Sequence, residues 1–405
     1  YRLNAYGSCY IAYGNSRSDK TEIEIASEYE GLPVVEIASN AFSSNEKITS
    51  VTIPSTVTKI GDRAFANTTF KSITLPSGLL TIGQSAFYGA GITSISIPDS
   101  VTEVGMMAFQ ECKNLSEAHL GSGLKNIPEG MFSTCTALSE ITIPETVESI
   151  GRSAFLNSAF TEIVIPDNVT ELGESAFSNS TRLVRAEIGE GVTELPEGGF
   201  RDCYSLEEVI LSDNVTSLGN WAFFCCYNLS ELMLPAQFAN ADGDPFFDCW
   251  TLTVYCVASE RPSTLNENWA GFCDVVWDCE NNNISEDGKI YGKTENGLRF
   301  SVYATNKTAV YERQKTTLSG DIVVPSKVQL DGNTYAISSI CQNMFQNCGE
   351  ITSITIEEGI TSAAQDAFGA CGKLTKIDFP ASIRSVSSAA FQDTTNIGSG
   401  ELVTV

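Results

Sequence analysis

The stretch IPSTVTKIGDRAF at residues 53–65 is followed by LPSGLLTIGQSAF at 75–87 and by IPDSVTEVGMMAF at 97–109. A further copy, IPETVESIGRSAF, occupies residues 143–155. Such self-similarity at a fixed period of 20–50 residues is typical of repeat architectures in which each copy forms one coil. The chain is therefore predicted to be a solenoid rather than a conventional globular domain.

Phenylalanine recurs every 22 or 23 residues along most of the chain and again near its end. One coil cannot bury its own apolar face, so we expect neighbouring coils to stack these rings along a shared interior. The series comprises Phe42, Phe65, Phe87, Phe109, Phe132, Phe155, Phe177, Phe200, Phe223, Phe246, Phe345, Phe368 and Phe391.

Aligned copies give the consensus A-F-x-x-C-x-x-L-x-x-I-x-I-P-x-x-V-x-x-I-G-x-x. Its L-x-x-I-x-I segment predicts a short strand with one buried face. Proline follows because it has no N–H to donate to a strand ladder. Glycine follows the V-x-x-I segment, and there we expect a backbone conformation that other residues resist.

This repeat resembles the BspA-like family of bacterial leucine-rich repeats, on copies such as 108–128 and 131–151. The resemblance covers 41–258 and 337–395. It implies an α/β-type repeat solenoid, a right-handed leucine-rich-repeat β-solenoid or horseshoe with a parallel β-sheet on one face, in two arrays. Family members are typically secreted or cell-surface proteins of host-associated microbes, and several are adhesins. The resemblance therefore implies an extracellular or cell-surface location.

The chain is predicted to repeat one plan, a cap followed by an array. RLNAY at 2–6 and CYIAY at 9–13 alternate around Gly7 as a hairpin would, and RFSVY at 299–303 starts a second such segment. The predicted parts are an N-terminal cap at 1–40, a first array at 41–258, its C-terminal cap at 259–282, a second cap or linker at 283–336 and a second array at 337–405.

The chain has 405 residues and a formal net charge of −26. Such acidity repels phosphate backbones, so a nucleic-acid partner is not expected. No run of about 18 apolar residues occurs, so membrane insertion is not expected either. We expect a monomer. The chain also lacks a signal peptide at its start, which suggests a leader that was removed or not included.

Seven of the thirteen cysteines share one repeat position, three residues after the phenylalanine. Other coils place Asn45, Thr68 or Ser158 there, so the position requires a small side chain. Free, packed thiols are predicted for this column, and Cys273 with Cys279 is the best disulfide candidate. The column comprises Cys112, Cys135, Cys203, Cys226, Cys249, Cys348 and Cys371.

Catalytic chemistry has little support in the sequence. The single histidine, His119, falls on a strand position without a visible nucleophile, and no nucleotide-binding or metalloprotease motif occurs. ADGDP at 241–245, with Asp248, could offer calcium ligands, but Asp-Gly is also ordinary turn chemistry. We therefore expect no catalytic residue, no metal site and no cofactor.

The outward positions of the L-x-x-I-x-I strands are the best candidate for a partner site, because alternate side chains of a strand point to opposite faces. Early coils carry Ser and Thr there, whereas later coils carry acidic and apolar residues. Stacked like charges oppose stability, and apolar groups rimmed by charge are common at interfaces. Drift on a tolerant acidic surface is the alternative. The candidate residues are Glu117, Glu140, Glu162, Val164, Arg185, Glu187, Glu208, Ile210, Glu231 and Met233.

Two functions fit these features. One is a non-catalytic, adhesin-like surface protein that presents the strand face to a protein or glycan partner. The other is a structural spacer or recognition arm of a larger secreted protein.

Overall fold

The fold is that of a computed structural model with two compact units. One unit comprises Tyr1–Val254 with Arg261–Val275, and the other comprises Tyr255–Glu260 with Val276–Val405. The structure describes residues 1–4, 6–14, 19–249, 252–266, 268–271, 273–277, 289–294, 296–303, 308–312, 314, 318–330 and 332–394. The predicted boundaries of caps and arrays remain predictions.

Most coils between residues 22 and 277 contribute short strands to two sets, here called the repeat ladder and the return ladder. The repeat ladder holds the L-x-x-I-x-I segments: Glu22–Glu24, Ser50–Thr52, Ser94–Ser96, Glu117–His119, Glu140–Thr142, Glu162–Ile165, Arg185–Ile188, Glu208–Ile210, Glu231–Leu234, Thr253–Cys256 and Asp274–Trp277. The return ladder holds Leu32–Ile37, Lys59–Ile60, Thr81–Ile82, Glu103–Val104, Asn126–Ile127, Ser149–Ile150, Glu171–Leu172, Glu194–Leu195, Ser217–Leu218 and Asn240–Ala241.

Pairing within the two ladders follows the repeat. Glu117–His119 pairs in parallel with both Ser94–Ser96 and Glu140–Thr142, at equivalent repeat positions. Return-ladder strands such as Lys59–Ile60 and Thr81–Ile82 pair in the same way. The predicted parallel solenoid is confirmed. Its coils return by turns, since the described residues contain no α-helix.

A strip of consecutive turns around each core phenylalanine joins the return ladder to the next repeat strand. Its backbone alternates in sign of φ, with positive values two residues before and two residues after the phenylalanine, as at Ser153 (51°) and Asn157 (60°) around Phe155. The amides of these three residues donate to carbonyl oxygens of the next coil at 2.8–2.9 Å. The strip thus supplies a third column of hydrogen bonds between coils.

The repeat glycines have a different physical reason from the predicted one. Gly61 and Gly151 are absent from the positive-φ residues. A Cβ atom on Gly61 would lie 2.6 Å from the Ser39 nitrogen, and one on Gly151 would lie 2.6 Å from the Glu129 nitrogen. These glycines are needed because successive coils approach closely. The positive φ angles fall on other residues of the turn strip.

The core phenylalanines stack as predicted. From Phe42 to Phe246, successive rings lie 5.1–5.9 Å apart with interplanar angles of 3–18°. The rings from Phe65 to Phe223 are completely buried. At the start of this unit, Arg2–Leu3 pairs antiparallel with Tyr10–Ala12, which in turn pairs parallel to Leu32–Ile37. Glu28–Tyr29 pairs antiparallel with the same strand.

The second unit has its own core around Phe345 and Phe368, whose rings stack at 6.0 Å. Lys289–Lys293, Arg299–Tyr303 and Thr308–Tyr311 form an antiparallel sheet. Its remaining strands form two parallel ladders and one hairpin. The first ladder is Ser319–Val324, Glu350–Ile356 and Lys376–Asp378; the second is Ser339–Ile340, Ser362–Ala363 and Ser385–Val386; the hairpin is Lys327–Leu330 with Asn333–Ala336.

Candidate functional site

The repeat ladder brings the predicted site residues into register across coils. Glu117 is the direct neighbour of Glu140, and Arg185 lies between Glu162 and Glu208. Equivalent residues on adjacent parallel strands lie about 4.8 Å apart. The structure therefore brings residues far apart in sequence side by side, but in separate sheets: Glu117 with Glu140 in one, and Glu162, Arg185 and Glu208 in the next.

Two carboxylates near the middle of the ladder face solvent beside each other. Glu140 is exposed, and Glu117 is half-buried with its Oε1 atom 2.8 Å from Nε2 of His119. His119 is itself exposed, as predicted for a surface histidine on the sheet. Neighbouring like charges disfavour folding slightly, so the pair of Glu117 and Glu140 is not explained by stability.

Three of the predicted surface residues are buried, which corrects the expectation that they face solvent. Arg185 and Glu187 are each 1% exposed and Ile210 is 3% exposed. The Arg185 Nη2 atom lies 2.9 Å from Oε2 of Glu187, and its Nε atom lies 3.0 Å from Oε2 of Glu208. The single arginine of the column thus joins carboxylates from its own coil and the next, and this part of the column is structural.

The electrostatics of Arg185 follow from this packing. Burial disfavours the charged guanidinium, but the carboxylates of Glu208, Glu187 and Glu162 outweigh burial and raise the pKa of Arg185. The arginine is therefore a fixed cation under all folding conditions. From its buried position, Arg185 neutralises part of the negative charge of Glu187 and Glu208.

The apolar members of the site differ from one another. Val164 and Met233 are half-buried on their strands, whereas Ile210 is almost completely covered. Glu162, Glu208 and Glu231 are also half-buried. The buried residues Arg185, Glu187 and Ile210 therefore divide the accessible part of the predicted site into two groups. The earlier coils contribute Glu117, Glu140, Glu162 and Val164, and the later coils contribute Glu208, Glu231 and Met233.

The early coils hold a feature that the sequence did not reveal. The repeat ladder has no strand between Ser50–Thr52 and Ser94–Ser96 within this described segment. A depression of about 420 Å³ lies there, lined by residues of two successive coils. Its hydroxyl-bearing residues are Ser72, Thr74, Ser77, Ser94 and Ser96, and its apolar residues are Ile73, Leu75, Ile95 and Pro98. The Ser and Thr residues at the outward strand positions are the only sequence signal for it.

The cysteine column is packed in the interior, as predicted. Six of its thiols, those other than Cys348, are free, and each lies 3.0–3.3 Å from the carbonyl oxygen of a phenylalanine in the preceding coil. Burial raises the pKa of the Cys112 and Cys249 thiols to about 12. Such thiols are poor nucleophiles and metal ligands. The predicted disulfide of Cys273 with Cys279 remains a prediction, because Cys279 lies outside the described residues.

In the acidic turn at 241–245, side-chain oxygens accept hydrogen bonds from backbone amides. Asp244 Oδ1 accepts a hydrogen bond from the Phe246 amide at 3.2 Å, and Asn220 Oδ1 accepts one from the Asp244 amide at 3.1 Å. Burial raises the pKa of Asp244. Over the described ranges, no three His, Cys, Asp or Glu side chains converge as metal ligands.

Parallel 22–23-residue coils with a stacked phenylalanine interior define a leucine-rich-repeat protein. The family model for the BspA type Leucine rich repeat region matches residues 35–161, 148–263 and 327–403. These matches cover well over half of the chain, which therefore belongs to this family. A comparison with the curated proteins finds no match.

Several solved structures are similar to this chain. A leucine-rich repeat protein from Bacteroides ovatus is 25% identical over 64% of this chain and 83% of that chain, with a TM-score of 0.39. The pneumococcal vaccine antigen PcpA is 21% identical over 67% and 79%, with a TM-score of 0.47. A leucine rich cell surface protein from Faecalibacterium prausnitzii is 20% identical over 96% of this chain and 83% of that chain, with a TM-score of 0.31.

Within the part of the chain that the structure describes, no helix has the length and apolar character of a membrane span.

Proposed function

We propose that this chain is a non-catalytic, adhesin-like binding protein of the secreted or cell-surface type, which presents its repeat ladder to an extracellular protein or glycan. The observation that carries this proposal is the direct register of Glu140, which is exposed, with Glu117, which is half-buried. Since adjacent carboxylates do not stabilise the sheet, a partner that supplies positive charge accounts for them better.

Several other observations support a binding role. The chain belongs to a repeat family whose parallel coils build a long, regular surface. Val164 and Met233 add half-buried apolar area beside the carboxylates, and apolar contacts with a charged rim are a common composition of interfaces. The buried network of Arg185, Glu187 and Glu208 would hold the strands rigidly between these two groups.

The test is a surface-binding screen of the full chain against extracellular matrix proteins and a glycan array, followed by charge reversal. Glu140→Lys should weaken binding of any partner at least tenfold. The affinity of the unsubstituted chain for that partner should fall as salt is added. Because the substitution relieves repulsion from Glu117, the melting temperature should not fall.

Glu171→Lys is the matched control, since it reverses an exposed carboxylate on the return ladder. Equal loss of binding in both variants would mean that net charge matters and the repeat ladder does not. A screen without any saturable partner would favour the spacer or recognition-arm function instead.

A further inference from the structure

Four aromatic side chains are exposed on the turn strip of three successive coils near the end of the first unit. Tyr204 is 41% exposed, Trp221 37%, Tyr227 47% and Phe247 42%. We call these four residues the aromatic ridge. None of them belongs to the buried phenylalanine stack, and none was among the predicted site residues.

The aromatic ridge is ordered by contacts between coils. The rings of Tyr204 and Tyr227 lie 5.5 Å apart and nearly parallel, at 10°. Phe247 stacks at 5.6 Å on Phe224, which lies 6.1 Å from Trp221. The rings thus form two columns between successive coils, one of Tyr204 and Tyr227 and the other of Phe224 and Phe247 with Trp221 beside it.

Polar groups lie directly beside these rings. The guanidinium of Arg201 lies 4.8 Å from the ring centroid of Phe224 and 5.4 Å from that of Trp221. Arg201 Nε also donates to Asp202 at 3.1 Å, and the Tyr204 hydroxyl donates to the same carboxylate at 3.4 Å. Arg201 and Asp202 therefore place hydrogen-bonding groups beside the rings, and the contacts given above hold these two side chains in position.

The repeat itself does not require these aromatic residues. At the position of Trp221, two residues before the core phenylalanine, other coils carry Asn40, Ser85 or Ser153. At the position of Tyr204 and Tyr227, four residues after it, they carry Thr69, Thr136 or Thr181. The positive φ at this position is common to the coils, as at Arg63 (52°) and Met107 (60°), so it does not select an aromatic ring. A role outside folding therefore explains the aromatic residues better.

The size of the ridge argues against a globular protein as the ligand. With about 150–250 Å² of surface for each aromatic side chain, four residues at 37–47% exposure offer roughly 250–400 Å². A stable protein interface needs about 800 Å² on each partner. The net charge of −26 also opposes pairing with a second copy or an acidic ligand.

The backbone of the ridge argues against a peptide. Peptides commonly add a strand to a free sheet edge or insert a helix into a groove. Here the amides of Trp221 and Cys225 already donate to the carbonyl oxygens of Asp244 and Phe247 in the next coil, both at 3.1 Å. Main-chain pairing at this surface is therefore used up between coils.

We propose that the aromatic ridge binds a linear, uncharged oligosaccharide that lies along it across the three coils. The C–H faces of successive sugar rings would pack on Trp221 and on the tyrosine pair, and their hydroxyls would hydrogen-bond to Arg201 and Asp202. This inference rests on the proposed binding role and assigns it a ligand class and a surface separate from Glu117 and Glu140.

The test uses the full chain and a panel of neutral oligosaccharides of two to six units, including β-1,4-glucan, β-1,3-glucan, β-1,4-xylan and α-mannan series. Calorimetry and tryptophan fluorescence should show saturable binding to at least one series, tightening with length up to about three or four units. The ridge variant combines Trp221→Asn, Tyr204→Thr and Tyr227→Thr, which are residues that the repeat uses elsewhere. It should lose at least tenfold in affinity.

Tyr88→Gln is the matched control, because it replaces a half-buried aromatic residue of an earlier coil by the residue found one coil later, and it should leave affinity unchanged. Circular dichroism checks that all variants fold. No binding across the panel, or equal binding by the ridge variant, overturns the inference. If a panel oligosaccharide is lost with Glu140→Lys but kept by the ridge variant, its site is the repeat ladder, so the proposed function stands and this inference fails. Binding of an unglycosylated peptide alone through the ridge also contradicts it.

Discussion

Arg185 shows how a single residue changes the meaning of a surface column. In sequence it interrupts a row of glutamates at positions that alternate outward from the sheet. In the structure it is covered, with Glu187 beside it and Glu208 from the next coil. A buried arginine between carboxylates is held by paired charges, and breaking such a pair is costly because the remaining ion stays buried.

Replacing Arg185 by methionine should therefore lower the free energy of unfolding by about 3–5 kcal/mol, as Glu187 would stay buried without its cation. Urea denaturation followed by circular dichroism measures this change. Arg152→Met is the control, since Arg152 and Glu174 are both exposed and such pairs contribute at most about 1 kcal/mol. Equal stability of the two variants would show that the buried network contributes nothing.

The sequence could place Arg185 on the correct strand and in the correct column, because the period alone sets the register. It could not show that the side chain is buried. Burial of Arg185 depends on the way in which long side chains of neighbouring coils cover one another. The alternation of residues within one strand carries no information about such contacts. Glu187 and Ile210 were misjudged for the same reason.

At the scale of the element, the turn strip and the cysteine column determine how coils stack. The period predicted the strands, the phenylalanine stack and the free thiols. The positive φ angles of the turn strip were not predicted, because Ser, Arg and Trp occupy positions where glycine or asparagine is the usual signal. The repeat glycines instead serve close approach between coils, a relation that no single copy contains.

Ser153 offers a test of the turn strip, since its φ is 51°. Ser153→Val should lower the free energy of unfolding by about 1–2 kcal/mol, because a β-branched side chain clashes in this conformation. Ser153→Gly should be neutral or slightly stabilising, as glycine adopts positive φ readily. Thermal melts of the two variants measure the difference, and a valine variant as stable as the glycine variant would refute this account of the strip.

The buried thiols predict a loss of stability in alkali. The pKa of Cys112 rises from 9.0 to about 12 on folding. The neutral thiol is thus favoured in the folded state, and its contribution is complete below pH 9 and is lost as pH rises toward 12. At pH 10 the thiol is largely ionised in the unfolded chain and neutral in the folded protein, so the loss is on the order of 1 kcal/mol for each such thiol.

Urea midpoints at pH 7 and pH 10 measure this effect. Cys112→Ser should reduce the difference between the two midpoints, since serine, which occupies this repeat position as Ser158 and Ser180, does not ionise in this range. Tyrosines also titrate in alkali, so the comparison with the variant isolates the thiol. An unchanged difference would mean that Cys112 is already accessible to hydroxide in the folded protein.

At the scale of the whole molecule, the exposed residues change in character from the early coils to the late coils of the first unit. The early coils carry hydroxyl side chains around a shallow depression, the middle coils carry exposed carboxylates, and the last three coils of the first unit carry the aromatic ridge. A solenoid allows this division because each coil contacts only its neighbours, so surface positions change without disturbing the core.

The measurement that tests the central claim most directly is hydrogen–deuterium exchange of the full chain, alone and saturated with the matrix protein that binds most tightly in the screen. The account predicts added protection at Glu117–His119 and Glu140–Thr142, with the return-ladder strands Asn126–Ile127 and Ser149–Ile150 unchanged. Protection confined to the return ladder, or a panel in which nothing binds saturably, would contradict it.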